Sequence, residues 1–288
     1  MRAAFLSALQ RMMDEDKRLV LLLGDVGAFS ARKIFAEFPD RAFNLGIREQ
    51  AIIDIAAGMS KAGLVPVIYG IAPFFVERAL EQIKIAAYNG CKIVLVSVGA
   101  SYDYSAEGPT HQCPGDLAIL RNVPGMMILV PGTVQEMRRL LAQSLDTSDP
   151  VYMRLSETIN PQNTMVELGR GTIVRQGGPM STVAVALGPM LADVMARLGP
   201  TDTTILYYTA LEPFDADLIA RLGRGKRVLV YEDNYPALFY ACAEALLSTD
   251  VESVAIPRRF IEGYGTRAQI KHKLYEKQKG IGWIYRRN

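Results

Sequence analysis

A chain of 288 residues, half of them apolar and 22% charged, carries enough hydrophobic mass for about two globular domains. Its net charge of +2 gives no strong pull toward nucleic acid or an anionic membrane, and no apolar run approaches the ~20 residues of a membrane helix. Cys91, Cys113 and Cys242 are odd in number and far apart, which excludes a disulfide framework or zinc cage; with no signal peptide, the expected location is the cytoplasm.

In chain order, Arg2 to Met13 reads as an amphipathic helix with Phe5, Leu9 and Met12 or Met13 on one face. Lys17 to Leu23 reads as a buried parallel strand closing at Gly24-Asp25-Val26-Gly27. Further strands are expected at Ala42–Leu45, Val65–Tyr69, Lys92–Val98, Met126–Val130 and Val151–Leu155. Between them fall helices from Glu49, over Phe75–Tyr88, and over Val134–Leu145 with Thr133 as N-cap. This alternation predicts an α/β fold with a mostly parallel sheet covered on both faces.

Ser156–Leu168 has no apolar period and contains Asn160-Pro161-Gln162-Asn163, so it reads as a linker between domains at 1–160 and 161–288. The second, smaller doubly wound domain is expected to use strands at Ser181–Ala186, Thr204–Tyr208, Arg227–Tyr231 and Val251–Ala255. Its helices fall at Met190–Leu198, Asp215–Leu222 and Ala237–Ser248. The last 31 residues hold nine Lys/Arg against two Asp/Glu, interleaved with Ile270, Leu274, Ile281, Trp283, Ile284 and Tyr285. That mixture suits a helix and tail docked on a subunit surface better than a nucleic-acid arm.

Two stretches carry chemistry. Phe43 to Gln50 breaks a short strand at Gly46 and opens a helix near Arg48, which leaves Glu49 in the first turn beside a packed apolar layer. A helix N-terminus favours the charged form of such an acid, and desolvation disfavours it. Ser105 to Gln112 follows a sheet strand on a loop interrupted by Gly108 and Pro109, where open parallel sheets place their ligand crevices. It holds His111, flanked by Thr110 and Gln112; the other histidine, His272, lies between two lysines and reads as solvated.

"FNLGIREQ", "EGPTHQ" and "PVYMRLS", in that order, resemble the pyrimidine-binding domain of transketolase-like, thiamine-diphosphate-dependent enzymes. "TVAVALGPM", "ALEPFDADLI" and "VLVYEDNY" are similar to the C-terminal domain of the same family. The resemblance implies that Glu49 contacts N1′ of the cofactor's aminopyrimidine and stabilises its imino tautomer, which activates the thiazolium carbon. It implies an aromatic stacked on the pyrimidine: Phe74 first, Tyr69 and Phe75 behind it, with Phe75 better read as core. Ile47 precedes Glu49 at the same site, and His111 would hydrogen-bond the developing alkoxide or a substrate hydroxyl.

There are departures from the family pattern. Glu157 stands where sugar-phosphate enzymes carry a phosphate-gripping arginine, and Arg154 could substitute only in a different register. Gly99 stands where transketolases proper have a histidine, and Glu107 replaces a usual aspartate, so the donor is expected to differ from a standard ketose phosphate. Glu107 and Glu157 join His111 as candidate substrate residues.

The family binds diphosphate and metal through Gly-Asp-Gly and a later Asn, which Gly24-Asp25-Val26 echoes only superficially. No metal site is therefore expected in this chain. The resemblance implies one product of a split gene, pairing as α2β2 with an N-terminal subunit that holds the diphosphate and Mg²⁺ or Ca²⁺. The expected activity is transfer of a two-carbon ketol unit from a sugar-like ketose to an aldehyde. The alternatives are the β subunit of a 2-oxoacid dehydrogenase E1 and a non-catalytic regulatory subunit that kept the fold.

Overall fold

Five successive buried residues, Leu19–Leu23, form β1 at the heart of the first sheet in a computed structural model that describes residues 1–247, 249–275 and 284–286. It follows α1 (Arg2–Glu15) and precedes α2 (Arg32–Glu37), β2 (Ala42–Asn44), α3 (Glu49–Lys61) and β3 (Val65–Ile71). Next come α4 (Ala72–Val76), α5 (Leu80–Tyr88), β4 (Val94–Val98), α6 (Asp116–Leu120), β5 (Met127–Leu129), α7 (Val134–Leu145) and β6 (Val151–Arg154). The order across the sheet is β5-β6-β4-β3-β1-β2, with every one of these pairings parallel.

Strand residues alternate between two apolar layers, which is why the strands read as continuous hydrophobic runs. Val20, Leu22, Ile68 and Leu95 share one layer with Ile52, Ile53 and Ala56 of α3 and Ile83 of α5. Leu21, Leu23, Val67 and Val96 share the other with Phe5, Leu9 and Met13 of α1 and Leu140 and Leu141 of α7. Because the strands are parallel, the loops that leave their carboxyl ends gather along one edge. Glu49 at the start of α3, Phe74 in α4 and His111 on the loop after β4 all follow those carboxyl ends.

The expected helix over Phe75–Tyr88 is two helices, with a turn at Glu77–Ala79 between α4 and α5. At this turn Glu77 accepts from the Cys113 thiol at 3.4 Å, and Arg78 reaches Glu49. At α7 the expected Thr133 cap is a full capping box. Its Glu136 also accepts from the Tyr207 hydroxyl at 2.7 Å, tying this helix start to the second half of the chain.

The second sheet contains β7 (Thr172–Arg175), β8 (Thr182–Leu187), β9 (Thr203–Tyr208), β11 (Val228–Tyr231), β12 (Val251–Val254) and β13 (Ile284–Arg286). Its order is β13-β12-β11-β8-β9-β7, parallel in the centre and antiparallel at both edges. Helices α8 (Leu191–Leu198), α9 (Ala216–Gly223), α10 (Leu238–Leu246) and α11 (Arg267–Tyr275) accompany it. One strand crosses over: β10 (Ala210–Glu212) pairs antiparallel with β5, Ala210 opposite Leu129, and so extends the first sheet.

Ser156–Leu168 contains no helix or strand, yet it is anchored. Asn160 is buried, donates to the Gly188 carbonyl at 3.1 Å and accepts from Ala192 N–H at 3.1 Å. In the basic C-terminal stretch, Ile270 and Leu274 of α11 are buried with Tyr102, Ile256 and Ile261. Arg267 pairs with Asp103 and Asp233, and Lys271 with Asp193, so α11 is docked on the body. Ile281, Trp283 and the end of the helix predicted to reach Ser248 lie outside the described residues. Among the described residues no helix is long and apolar enough to cross a membrane.

Candidate active site

Glu49 is placed by the loop before it. Asn44 at the end of β2 uses its side-chain oxygen to accept from the N–H groups of Asp25 at 2.9 Å and Gly46 at 3.2 Å. Its amide nitrogen donates to Asp25 Oδ1 at 3.3 Å. Asp25 and Asn44 thus staple the β1 and β2 exits together, and Gly46 turns the chain at a φ of +74°, favourable to glycine. Ile47 projects from this loop, 68% exposed, while Glu49 begins α3 only 4% exposed. The Glu49 carboxylate meets Arg78 Nη1 at 3.2 Å.

From Arg78 a line of rings and cations runs across the sheet edge. The Arg78 guanidinium lies 4.3 Å over the Phe74 ring. Phe74, half-buried, meets His111 edge-on with centroids 5.1 Å apart, and His111 lies 5.9 Å from the Tyr104 ring. Thr110 Oγ1 is 2.9 Å from His111 Nδ1, which leaves Nε2 for another partner. Exposed Arg2 of α1 bonds the Tyr104 hydroxyl. The structure therefore places Glu49, Phe74 and His111 along one line of contacts, together with Arg78, Tyr104 and Arg2.

Tyr69 requires a correction. Its ring is fully buried and stacked on Phe5 at 5.5 Å, with Gly27 packed close against it, so it has no free face for a pyrimidine. Its hydroxyl is nevertheless buried without a hydrogen-bond partner, and burial, opposed by the nearby Arg2 cation, pushes its pKa up. Phe75 is a core ring, packed over Gly70 so tightly that an added Cβ would sit 2.3 Å from it.

The loop bearing His111 leaves β4 at Gly99 and closes on itself where Cys113 N–H donates to the Ser101 carbonyl at 2.8 Å. Gly99 has a φ of +79°, and a Cβ there would meet the Tyr104 ring at 2.5 Å. A histidine cannot occupy this position as the loop is folded; Tyr104 fills the space. Glu107 and Glu157 are both exposed, and the Glu157 N–H donates to buried Asp103 at 2.9 Å. Burial pushes the Asp103 carboxyl up to about 6 against the opposing pull of Arg267, whose guanidinium also lies 4.3 Å over Tyr102.

Arg154 is not available to grip a substrate. It is 1% exposed, 3.0 Å from Asp116 and 3.3 Å from Asp233, and donates to Asn234 at 3.2 Å. Asp233 and Asn234 follow β11, so this arginine joins the first sheet to the second. Nothing local in the sequence announces these contacts: Arg2 and Tyr104 are 102 residues apart, Arg154 and Asp233 are 79.

Residues 1–162 match the family model of the transketolase pyrimidine-binding domain. The chain belongs to this family. An uncharacterized 33.6 kDa protein in the fasciation locus of Rhodococcoides fascians is 38% identical over 208 residues, 72% of this chain and 66% of its own length. The 6-deoxy-6-sulfo-D-fructose transketolase subunit SqwH of a Clostridium species is 29% identical over 201 residues, 68% of this chain and 62% of its own. Each match spans somewhat less than two thirds of the relative. A solved split-gene transketolase, described as an inactive β4 tetramer, superposes with a TM-score of 0.83 at 28% identity, covering 95% of this chain and 92% of that one.

Membership in this transketolase family implies thiamine diphosphate as cofactor. The residues present suit its aminopyrimidine: a buried carboxylate at a helix start beside a half-buried aromatic ring. Among the described residues no three His, Cys, Asp or Glu side chains are grouped to hold a metal ion.

Proposed function

We propose that this chain is the C-terminal subunit of a split transketolase, with residues 1–160 as the pyrimidine-binding unit and 161–288 as the C-terminal unit. It moves a two-carbon ketol unit from a sugar-like ketose donor to an aldehyde acceptor. Its partner is an N-terminal subunit that holds the diphosphate through Mg²⁺ or Ca²⁺, in an α2β2 assembly with the cofactor at the interface. The observation that carries this reading is the carboxylate of Glu49, buried at the start of α3 and aligned with Phe74 and His111 along one sheet edge.

When bound, thiamine diphosphate supplies the nucleophilic carbon and the electron sink for breaking a carbon–carbon bond. Glu49 holds the proton at the pyrimidine N1′. Phe74 offers its ring face to the pyrimidine and helps exclude water. His111, with Nδ1 engaged by Thr110, presents Nε2 to the substrate oxygen that gains charge. At the mouth, Arg2 is an exposed cation beside Tyr104, whereas Glu107 and Glu157 present carboxylates. An anionic group on the sugar is therefore met from α1 and not from the Glu157 position. The similarity to SqwH, a transketolase subunit for the sulfonated sugar 6-deoxy-6-sulfo-D-fructose, supports an anionic substrate.

The test is reconstitution with the diphosphate-binding chain, followed by a ketose-to-aldehyde transfer assay. Glu49→Ala and His111→Ala each abolish or greatly reduce turnover under this reading. Full activity of Glu49→Ala, or transfer of an acetyl group to a lipoyl carrier instead, would contradict it.

A further inference from the structure

Arg78 makes two contacts that resemble those the cofactor's ring requires. Its guanidinium is a flat, delocalised group with donors at its edge. Its Nη1 reaches the buried Glu49 carboxylate at 3.2 Å, and its central carbon lies over the Phe74 ring, 4.3 Å from the centroid. A pyrimidine seated against the same two residues needs a hydrogen bond from Glu49 and a stacking face on Phe74, and both are engaged by Arg78 here.

We propose that Arg78 fills the pyrimidine's place in the cofactor-free subunit and is displaced when thiamine diphosphate binds. This rests on the reading that Glu49 and Phe74 receive the pyrimidine. The arginine suits such a role because its side chain is 47% exposed while that of Glu49 is 5% exposed. It can leave toward solvent, whereas the buried Glu49 cannot follow it and must be given a new partner by whatever displaces the arginine.

Arg78 sits in the turn between α4 and α5, where the flanking Glu77 and Ala79 N–H groups still bond to the Pro73 and Phe75 carbonyls at 3.1 and 3.0 Å, so the freedom is that of its half-exposed side chain and not of the backbone. In the empty subunit the contact keeps a buried carboxylate from standing alone, a state that proteins avoid. On loading, the cofactor must displace the pair, which lowers its apparent affinity by the fraction of open sites.

Two experiments test this together. In the isolated subunit, a double-mutant cycle with Glu49→Gln and Arg78→Met is followed by urea unfolding. Coupling between the two residues is expected, with Arg78→Met lowering the midpoint much less when Glu49 is already Gln. In the complex reconstituted with the diphosphate-binding chain, thiamine diphosphate is titrated calorimetrically. Arg78→Met is expected to bind roughly tenfold more tightly than wild type, the size of one half-exposed ionic and cation–π contact removed as a competitor. Arg78→Lys keeps the charge without the flat face and should fall between.

Unchanged or weaker binding by Arg78→Met, beside a wild-type complex that does bind, overturns the displacement. Absence of coupling in the isolated subunit also overturns it, because the pair would not be formed there. A wild-type complex that binds no thiamine diphosphate at all overturns the site assignment itself, and this inference with it.

Discussion

Arg154→Met removes the cation at the centre of the buried network and keeps much of its volume. The guanidinium is 3.0 Å from Asp116 and 3.3 Å from Asp233, and Asp116 is 0% exposed. Removing one partner of a buried pair costs about 3–5 kcal/mol, because the remaining charge stays desolvated. Asp233 keeps Arg267 at 3.3 Å, and Asp116, which loses its cation, can take up a proton, since burial already pushes its carboxyl upward. The net is a loss of about 4 kcal/mol near neutral pH, a large part of a domain's stability.

Urea unfolding near neutral pH and near pH 5 measures it. In the variant, a carboxyl whose folded pKa lies above its unfolded value binds a proton preferentially in the folded state. Its destabilisation is therefore smaller in acid and grows as pH rises. The double variant Arg154→Met, Asp116→Asn should recover part of the loss near neutral pH. A cost below about 1 kcal/mol would refute the reasoning, since exposed pairs give that much. So would weaker substrate binding at unchanged stability, which would make Arg154 a ligand-gripping residue after all.

Asp103 gives a second pH signature. Its folded carboxyl titrates up to about 6, above the ordinary aspartate range, so its contribution stabilises in acid and is lost as pH rises through that value. Asp103→Asn should flatten the stability profile between about pH 4 and about pH 6, by about 3 kcal/mol at most, as read by thermal unfolding across that range. Gly70→Ala places a methyl group 2.3 Å from the Phe75 ring and should destabilise by about 1–3 kcal/mol. A melting temperature equal to that of wild type would show that Phe75 can move aside.

The parts of this fold that could be read from sequence are those decided locally. β1 shows as an apolar run because both of its faces are covered, and α7 shows its start because Thr133 and Glu136 form a box within one turn. What escaped depends on distant partners. β10 is three residues within a stretch otherwise marked by its Pro-Phe-Asp turn, and it becomes a strand only by pairing with β5 of the other sheet. β7 is a short, half-exposed edge strand without clean alternation, and α2 and α6 are too short for a helical period to stand out.

The site divides in the same way. Glu49 and His111 stand in recognisable motifs and lie along one edge. Tyr69 was a poor guide because its position at a strand end did not reveal that α1 covers it with Phe5. Arg78 and Arg2 carry no motif of their own; the broken helix after α4 and the docking of α1 place them. The ion-pair network of Arg154, Asp233, Arg267 and Asp103 joins four separate segments, and no spacing rule would have assembled it.

The central claim is that Glu49 belongs to half a site. The most direct measurement is a calorimetric titration of thiamine diphosphate with Mg²⁺ into this chain alone, into the diphosphate-binding chain alone, and into the two mixed. Specific binding to the mixture alone, lost or greatly weakened by Glu49→Ala in a complex that still assembles, is the predicted result. Tight binding by this chain alone, or binding to the mixture that ignores Glu49→Ala, would contradict it.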